Sequence, residues 1–367
     1  DKARRAQVRV GVESYRRSFG EHPRGMWISE CAYDRPVDDL LAESGIDYFF
    51  VDAHGVLRAS PPPPRGVAAP VVTSRGVAAF GRDLESSWQV WSADHGYPGD
   101  GAYREFYRDL GYDAEYETIR PYLHPDGVRR NVGIKYHRIT GDVDLGEKQY
   151  YDVEAARARA GVHAANFHFR RAEQVKALQI DAEPPLVTSL YDAELFGHWW
   201  FEGPWFLEEF FRVAARHQHV LLPVTPSEYL SRHPARTRVQ LSPSTWGADG
   251  HQSVWLNGEN AWMLRHQHAA ERRMGVLARR HPQASQRGRW ALNQAARELL
   301  LAQSSDWAFI LTTKSAPAYA RRRFREHLHR FHLLADALEQ GQAAHDALDV
   351  AQFDATLFPW LDYQAFA

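Results

Sequence analysis

The sequence predicts an α/β fold in which a parallel sheet or barrel is followed by an α-helical C-terminal region. The first observation is a strand–helix–strand pattern, formed by apolar runs at residues 25–30 and 46–51 around a helical segment at 36–44. Strands that alternate with helices in this way are typical of parallel sheets. The second observation is a helical C-terminal part, in which apolar residues recur at helical spacing over 290–303 and 317–340.

Proline, glycine and serine residues at the expected helix ends support these predicted elements. Pro36 lies near the first turn of the 36–44 helix and Gly45 ends it. Ser315 is the expected cap of the 317–340 helix, which has Pro317 in its first turn and stops at Gly341. Apolar patterning further predicts helices at 1–19, 152–178 and 204–217, and strands within 70–80, at 186–191 and at 220–224.

Composition bounds the class of protein. The chain has 367 residues, enough for one large barrel-type domain and a smaller one, and a net charge of −2, which argues against nucleic acid as the main partner. No apolar run of about 18 residues predicts a membrane span, and the ragged start at Asp1 shows no signal region. The single cysteine, Cys31, cannot form an internal disulfide, so a reducing cytoplasm is compatible.

Two carboxylates stand where apolar runs end. Asp192 follows the run at 186–191, and Glu30 follows the run that begins at Gly25. Side chains at the carboxyl ends of barrel strands face the substrate, and a pair of acids is what glycoside hydrolysis requires. The alternative is that Glu30 and Asp192 are two of the 46 acidic residues and serve as helix caps or surface ion pairs.

Aromatic residues are abundant, with 12 Trp, 16 Tyr and 18 Phe. Trp91, Trp246 and Trp255 lie in loop-like, glycine-rich sequence, which favours stacking on sugar rings over a place in the core. Trp27 lies within a strand and is either core or pocket wall. His54, at the tip of the second strand, either binds a sugar hydroxyl or is a structural histidine.

Other chemistries lack their motifs. The His-Glu-x-x-His pattern of zinc proteases, a cysteine cluster, a phosphate-binding loop, a dinucleotide fingerprint and a serine nucleophile elbow are all absent from the sequence. We therefore expect no metal and no organic cofactor. The proline run at 61–64 is either a rigid surface connector or a stiff loop over the active site.

Three stretches resemble glycoside hydrolase family 57, and within it the 1,4-α-glucan branching enzymes. They are Gly-Met-Trp-Ile-Ser-Glu-Cys-Ala-Tyr from Gly25, Tyr-Asp-Ala-Glu-Leu-Phe-Gly-His-Trp-Trp-Phe-Glu-Gly from Tyr191, and Ser-Thr-Trp-Gly from Ser244 with Trp-Leu-Asn from Trp255. The resemblance covers essentially the whole chain. It implies a (β/α)7 barrel with a helical C-terminal domain, Glu30 as nucleophile and Asp192 as general acid/base. It also matches Trp91, Trp246 and Trp255 to tryptophans that shape the donor and acceptor sites.

The sequence departs from the family pattern in two places. The family opens with a His-Gln-Pro motif on its first barrel strand, and this chain has none, so we expect an incomplete barrel that lacks roughly three strands. Such a barrel exposes an open edge, which leaves open that the polypeptide is inactive alone. Residues 56–70, the expected counterpart of a mobile loop with a tyrosine, contain no aromatic residue, which favours hydrolysis relative to transfer.

The resemblance implies a branching enzyme that makes α-1,6 branches on amylose or glycogen, acting as a cytoplasmic monomer. The alternatives are an α-glucan hydrolase or 4-α-glucanotransferase of the same family, and a non-catalytic glucan-binding protein. The expected domains are a barrel over residues 1–245, with a mostly helical, aromatic-rich insertion around 85–180, and a helical domain over 246–367 that contributes active-site tryptophans.

Overall fold

The computed structural model of the protein describes residues 2–178, 183–341 and 357–367. The chain divides into two compact units. The first unit comprises residues 1–63, 70–80 and 235–367, and the second comprises residues 64–69 and 81–234.

The strands are β1 (Gly25–Trp27), β2 (Tyr48–Val51), β3 (Val71–Val72) and β4 (Ala78–Gly81). The helices of the N-terminal half are α1 (Lys2–Phe19), α2 (Pro36–Glu43), α3 (Ala53–Leu57), α4 (Leu84–Trp91), α5 (Leu110–Asp113), α6 (Tyr116–Ile119) and α7 (Val153–Ala177). Those that follow are α8 (Gly203–Arg216), α9 (Pro226–Arg232), α10 (Trp262–Arg280), α11 (Gln286–Ala302), α12 (Ser305–Thr313) and α13 (Pro317–Glu339).

The sheet has the order β1-β2-β4-β3. β1 and β2 are parallel, with Gly25 opposite Tyr48 and Trp27 opposite Phe50, and β3 and β4 are antiparallel. The crossover helix α2 begins at Pro36 and is followed by Gly45, whose φ of +69° suits the left-handed end of a helix. The predicted strand–helix–strand unit is therefore confirmed, as is the pair of short strands within 70–80.

The core of the first unit is largely helical. Leu292 and Leu299 of α11 are fully buried, as are Phe324 and Phe331 of α13. Small residues of α11 allow neighbouring helices to approach closely, and residues of α1 join the same cluster, namely Ala3, Ala6 and Val10. The amphipathic spacing that predicted these helices is thus explained by burial in one core.

The second unit has an aromatic core between α7 and α8. Trp200, Phe206 and Tyr103 are fully buried there beside Phe167. The hydroxyl of Tyr103 lies 2.8 Å from Nδ1 of His163, which α7 carries into this core. Between α4 and α7 the chain forms turns and short helices, and α5 and α6 are the α-helices of this described stretch.

Several predicted elements are wrong. Residues 186–191 form no strand, because single hydrogen bonds (Leu186 N to Ala68 O, and Asp83 N to Thr188 O) hold this stretch instead of a ladder. Residues 220–224 also form no strand, and Val220 closes a turn after α8 by donating its N–H to the carbonyl of His217.

The last helix and the C-terminus also differ from expectation. Ser315 does not cap α13, since Ala316 occupies the cap position and the hydroxyl of Ser315 pairs with that of Thr313. Residues 357–362 are not helical. The predicted helical course over 342–356 lies outside the described residues.

We expect Gly25→Ala to destabilise the protein, because a Cβ at this position would lie 2.1 Å from Cε2 of Tyr48. The ring would have to leave its place over β1, at a cost of about 1–3 kcal/mol. Gly11→Ala is the matched control, since a Cβ there meets nothing within 4 Å in the middle of α1, and should stabilise by about 0.5–1 kcal/mol. Urea denaturation measures both; equal stability of the two variants would contradict the packing described.

His163 should make stability depend on pH. Burial lowers the pKa of His163 to about 4, although nearby Asp100 raises it and Arg159 lowers it further. The unfolded chain binds a proton on this imidazole near pH 6.5, so folding releases it between about pH 4 and 6.5. Stability should therefore be fully present above pH 6.5 and be lost as pH falls toward 4. Denaturation at several pH values should show a shallower acid slope for His163→Gln; an unchanged slope would refute this assignment.

Candidate active site

Glu30 lies in an unusual turn at the end of β1. The chain passes from Trp27 into a short 3-10 turn, Ser29–Cys31, in which Glu30 has φ 59° and ψ 21° and Cys31 has φ 49°. Two consecutive side-chain-bearing residues in the left-handed region cost roughly 1–2 kcal/mol each. Such a conformation persists only when the surroundings impose it.

The surroundings that impose it come from residues 244–246. The carbonyl oxygen of Glu30 accepts the hydroxyl of Thr245 at 2.9 Å and the backbone N–H of Trp246 at 3.1 Å. Tyr33 and Ser244 exchange a pair of backbone hydrogen bonds, 2.8 and 3.1 Å long. The turn is therefore held at its centre and at its end by one distant segment, which we call the 244–246 clamp.

The same clamp fixes the carboxylate. The indole Nε1 of Trp246 donates to Oε2 of Glu30 at 2.9 Å. The ring of Trp246 meets the ring of Trp27 edge-on, with centroids 5.1 Å apart, and Trp27 is about one-third exposed. Three residues that the sequence singled out, Trp27, Glu30 and Trp246, are thus brought together.

Trp255 and His54, a residue of α3, both contact the neighbouring loop at Gly247 and Gly250. The backbone of Gly247 packs so closely on the Trp255 ring that a Cβ would lie 2.5 Å from it. His54 places Nδ1 2.9 Å from Asp52 and Nε2 3.0 Å from the carbonyl of Gly250. Both ring nitrogens of His54 are therefore engaged within the protein, which favours the structural interpretation of this histidine over a sugar contact.

Asp192 lies in the second unit and is half-buried. Its backbone is extended, and it directly precedes the 3-10 turn Ala193–Leu195. The stretch before it is tied to α4. Nε1 of Trp91 donates to the carbonyl of Leu190 at 3.2 Å, and the hydroxyl of Tyr191 donates to Ser86 at 2.9 Å. Trp91 is the last residue of α4 and lies in a helix, so the loop setting expected for it is wrong.

A buried acid that the sequence did not reveal supports the turn after Asp192. Glu202 is fully buried, and its Oε1 accepts the hydroxyl of Tyr151 at 2.7 Å and the N–H of Arg104 at 2.9 Å. Burial raises the pKa of Glu202, while the bonds from Tyr151 and Arg104 oppose that shift. The sequence feature that could have indicated a buried Glu202 is its position directly after the aromatic run at 199–201 and before Gly203.

The described residues provide neither a metal-binding cluster nor a membrane-spanning helix. Over residues 2–178, 183–341 and 357–367, no group of three or more His, Cys, Asp or Glu side chains is placed to hold a metal ion. Within the same ranges, the helices are all too short or too polar to cross a lipid bilayer.

Family models match most of the chain. Residues 1–242 match glycosyl hydrolase family 57, and residues 266–366 match the C-terminal region of 1,4-alpha-glucan branching enzymes. Among curated proteins, the 1,4-alpha-glucan branching enzyme of Thermococcus kodakarensis is 32% identical, over 99% of this chain and 54% of that protein. The chain thus spans about half the length of this relative.

Solved structures show the same likeness. The alpha-amylase AmyC of Thermotoga maritima gives a TM-score of 0.91 at 41% identity, with 100% of this chain and 69% of that chain covered. The GH57-type branching enzyme of Pyrococcus horikoshii gives 0.88 at 34% identity, with 100% and 68% covered. These likenesses confirm the predicted fold class, an α/β, incomplete (β/α)7 barrel with a helical C-terminal region.

Thr245→Val should loosen the turn at Glu30. The substitution keeps the shape of the side chain but removes the hydroxyl that donates to Glu30 and accepts from the N–H of Gly247. Because Thr245 is buried, we expect a loss of about 1–3 kcal/mol in the free energy of unfolding. Thr245→Ser is the control and should retain most of the stability. Denaturant titration measures the free energy of unfolding of both variants. Equal losses for Thr245→Val and Thr245→Ser would show that the hydroxyl does not stabilise the turn.

Proposed function

This chain belongs to glycoside hydrolase family 57, and from that premise we propose that it is the part of a 1,4-α-glucan branching enzyme that carries both catalytic carboxylates. The observation that carries the proposal is the constrained geometry of Glu30. Its backbone is held in a left-handed turn and its carboxylate is fixed by the indole of Trp246. Strain that the surroundings maintain at a strand end, beside tryptophans, is characteristic of a site built for chemistry.

In the proposed reaction, Glu30 attacks the anomeric carbon of an α-1,4-linked glucan while Asp192 gives its proton to the departing oxygen. A covalent glycosyl–enzyme forms with inverted configuration. The 6-hydroxyl of another glucan then attacks that carbon and loses its proton to Asp192, so the product is an α-1,6 branch with net retention. Water in place of the 6-hydroxyl gives hydrolysis. Retaining enzymes place their two carboxyl groups about 5–5.5 Å apart.

The aromatic residues receive distinct roles in this proposal. Trp246 fixes one oxygen of Glu30, so the other oxygen is the one that attacks the sugar. Trp27 and Trp255 form walls for the sugar rings close to that carboxylate. Trp91 holds the stretch that precedes Asp192 through its bond to Leu190. His54 supports the loop at Gly250 rather than the substrate.

We also propose a substrate, a cellular role and a domain arrangement for this chain. The partner is an α-glucan such as amylose or glycogen, and the enzyme contributes to glycogen synthesis as a cytoplasmic monomer that needs no metal or organic cofactor. A barrel over residues 1–245, with an insertion around 85–180, would hold both acids. The helical region over 246–367 would supply Trp246 and Trp255.

A second candidate is an α-glucan hydrolase. Two observations favour it: a structure at 41% identity is that of an alpha-amylase, and residues 56–70 contain no aromatic side chain to shield the intermediate from water. A 4-α-glucanotransferase differs only in the hydroxyl that accepts the chain. A non-catalytic glucan-binding module is a third candidate, because the chain spans 54% of the length of the T. kodakarensis relative.

The test is incubation of the chain with amylose, followed by measurement of α-1,6 linkages and of reducing ends. New α-1,6 linkages identify a branching enzyme; reducing ends without them identify a hydrolase, and binding without turnover identifies a binding module. We expect Glu30→Gln to abolish turnover with the fold intact. Asp192→Asn should reduce turnover of amylose by about 10²–10⁴-fold.

A substrate with an activated leaving group provides the control for the two roles. An aryl α-glucoside with an acidic phenol needs little protonation, so Asp192→Asn should lose far less activity in forming the glycosyl–enzyme from it than from amylose. Glu30→Gln should be inactive on both substrates. If both variants lost the same factor on both substrates, the assignment of acid and nucleophile would be wrong.

A further inference from the structure

An exposed aromatic stack stands on the surface of the second unit. The rings of Phe106 and Trp199 are stacked, with centroids 4.7 Å apart and planes 26° from parallel. Trp199 is 52% exposed, and the adjoining Tyr107 is 71% exposed. His198, also exposed, meets Phe106 edge-on at 5.8 Å. A contiguous patch of exposed aromatic rings is characteristic of a binding surface.

The stack is rigidly supported from beneath. Asp109 is buried and accepts hydrogen bonds from three backbone N–H groups and from Lys135 at 3.2 Å. Nζ of Lys135 in turn lies 5.4 Å from the centre of the Phe106 ring. The residues on either side of Phe106 are also fixed, because the N–H of Arg104 donates to Glu202 and that of Tyr107 donates to Glu105. Ordering the rings in advance lowers the entropic cost of binding a ligand.

Trp199 shares a hydrogen-bonded turn with Asp192. The N–H of Leu195 donates to the carbonyl of Asp192 at 3.3 Å, and the N–H groups of His198 and Trp199 both donate to the carbonyl of Glu194, at 3.2 and 3.3 Å. The position of the stack is therefore linked to that of the predicted general acid/base by a few backbone bonds. The side chain of Glu194 is exposed on this turn.

We propose that Phe106 and Trp199 form a binding site for an α-glucan chain on the leaving-group side of Asp192, with Glu194 and His198 as polar partners for sugar hydroxyls. This inference rests on the proposed function, in which Asp192 protonates the departing oxygen. The departing chain, and later the accepting chain, must lie on that side of the reaction. A glucose ring presents an apolar C–H face that suits a flat aromatic surface, while its rim of hydroxyls suits a carboxylate and an imidazole.

The experiment measures binding of maltoheptaose to the full chain by titration calorimetry. Trp199→Ala should weaken binding by about 2- to 10-fold, and Trp199→Phe should retain most of it because a ring remains. Trp290→Ala is the matched control, since Trp290 is 58% exposed on α11 in the first unit, and should bind like the wild type. Thermal unfolding of Trp199→Ala should match that of the wild type.

Kinetics on amylose separate substrate contact from support. We expect Trp199→Ala to raise KM and the concentration of acceptor required, with kcat nearly unchanged, because the stack holds the chain but takes no part in bond breaking. Unchanged maltoheptaose binding by Trp199→Ala would overturn the proposal. A lowered unfolding temperature with unchanged KM would also overturn it, because the stack would then have only a structural role.

Failure of the proposed function gives a different result. It would appear as wild-type chain that binds maltoheptaose but neither branches nor hydrolyses amylose. In that case, weakened binding by Trp199→Ala would still support the glucan site. Wild-type chain that bound no maltoheptaose at all would overturn the site.

Discussion

The hydrogen bonds that the 244–246 clamp makes to Glu30 are the constraint on which the site in the first unit depends. Thr245 and Trp246 both bind the carbonyl oxygen of Glu30, and the indole of Trp246 binds its carboxylate. One short segment thus sets the backbone conformation and the side-chain direction of the same residue. Because Trp246 also contacts Trp27, one side chain connects the acid to the neighbouring aromatic ring.

In the second unit, different groups hold the turn after Asp192 in one conformation. The turn after Asp192 carries no strained residue with a side chain; Gly197 supplies the one positive φ in it, +108°. Its end is held by the buried carboxylate of Glu202, which receives hydrogen bonds from Tyr151 and Arg104. A fully buried acid with its bonds made on one oxygen is costly unless those bonds are kept. Glu202 therefore specifies one arrangement of the loop that bears His198 and Trp199.

The sequence predicted the parts of the fold that local patterns determine. The parallel β1–β2 pair and α2 followed from apolar runs bounded by Pro36 and Gly45, and the C-terminal helices followed from periodicity. Residues 186–191 form no strand although their pattern predicts one, because apolar residues indicate burial and not the presence of a neighbouring strand. The left-handed turn at Glu30 could not be predicted, since it contains no glycine and is imposed by a segment 215 residues away. For the same reason, the partners of His54 and the stack of Phe106 on Trp199 emerge only in three dimensions.

Cys31 gives this arrangement a chemical consequence. It is the only cysteine of the chain, it is fully buried, and it follows Glu30 in the strained turn. A thiol reagent can reach its sulfur only when the turn opens. The labelling rate therefore measures how often the backbone at Glu30, the proposed nucleophile, opens. Slower labelling with a bound sugar would then measure how far the ligand closes the turn, without any catalytic turnover.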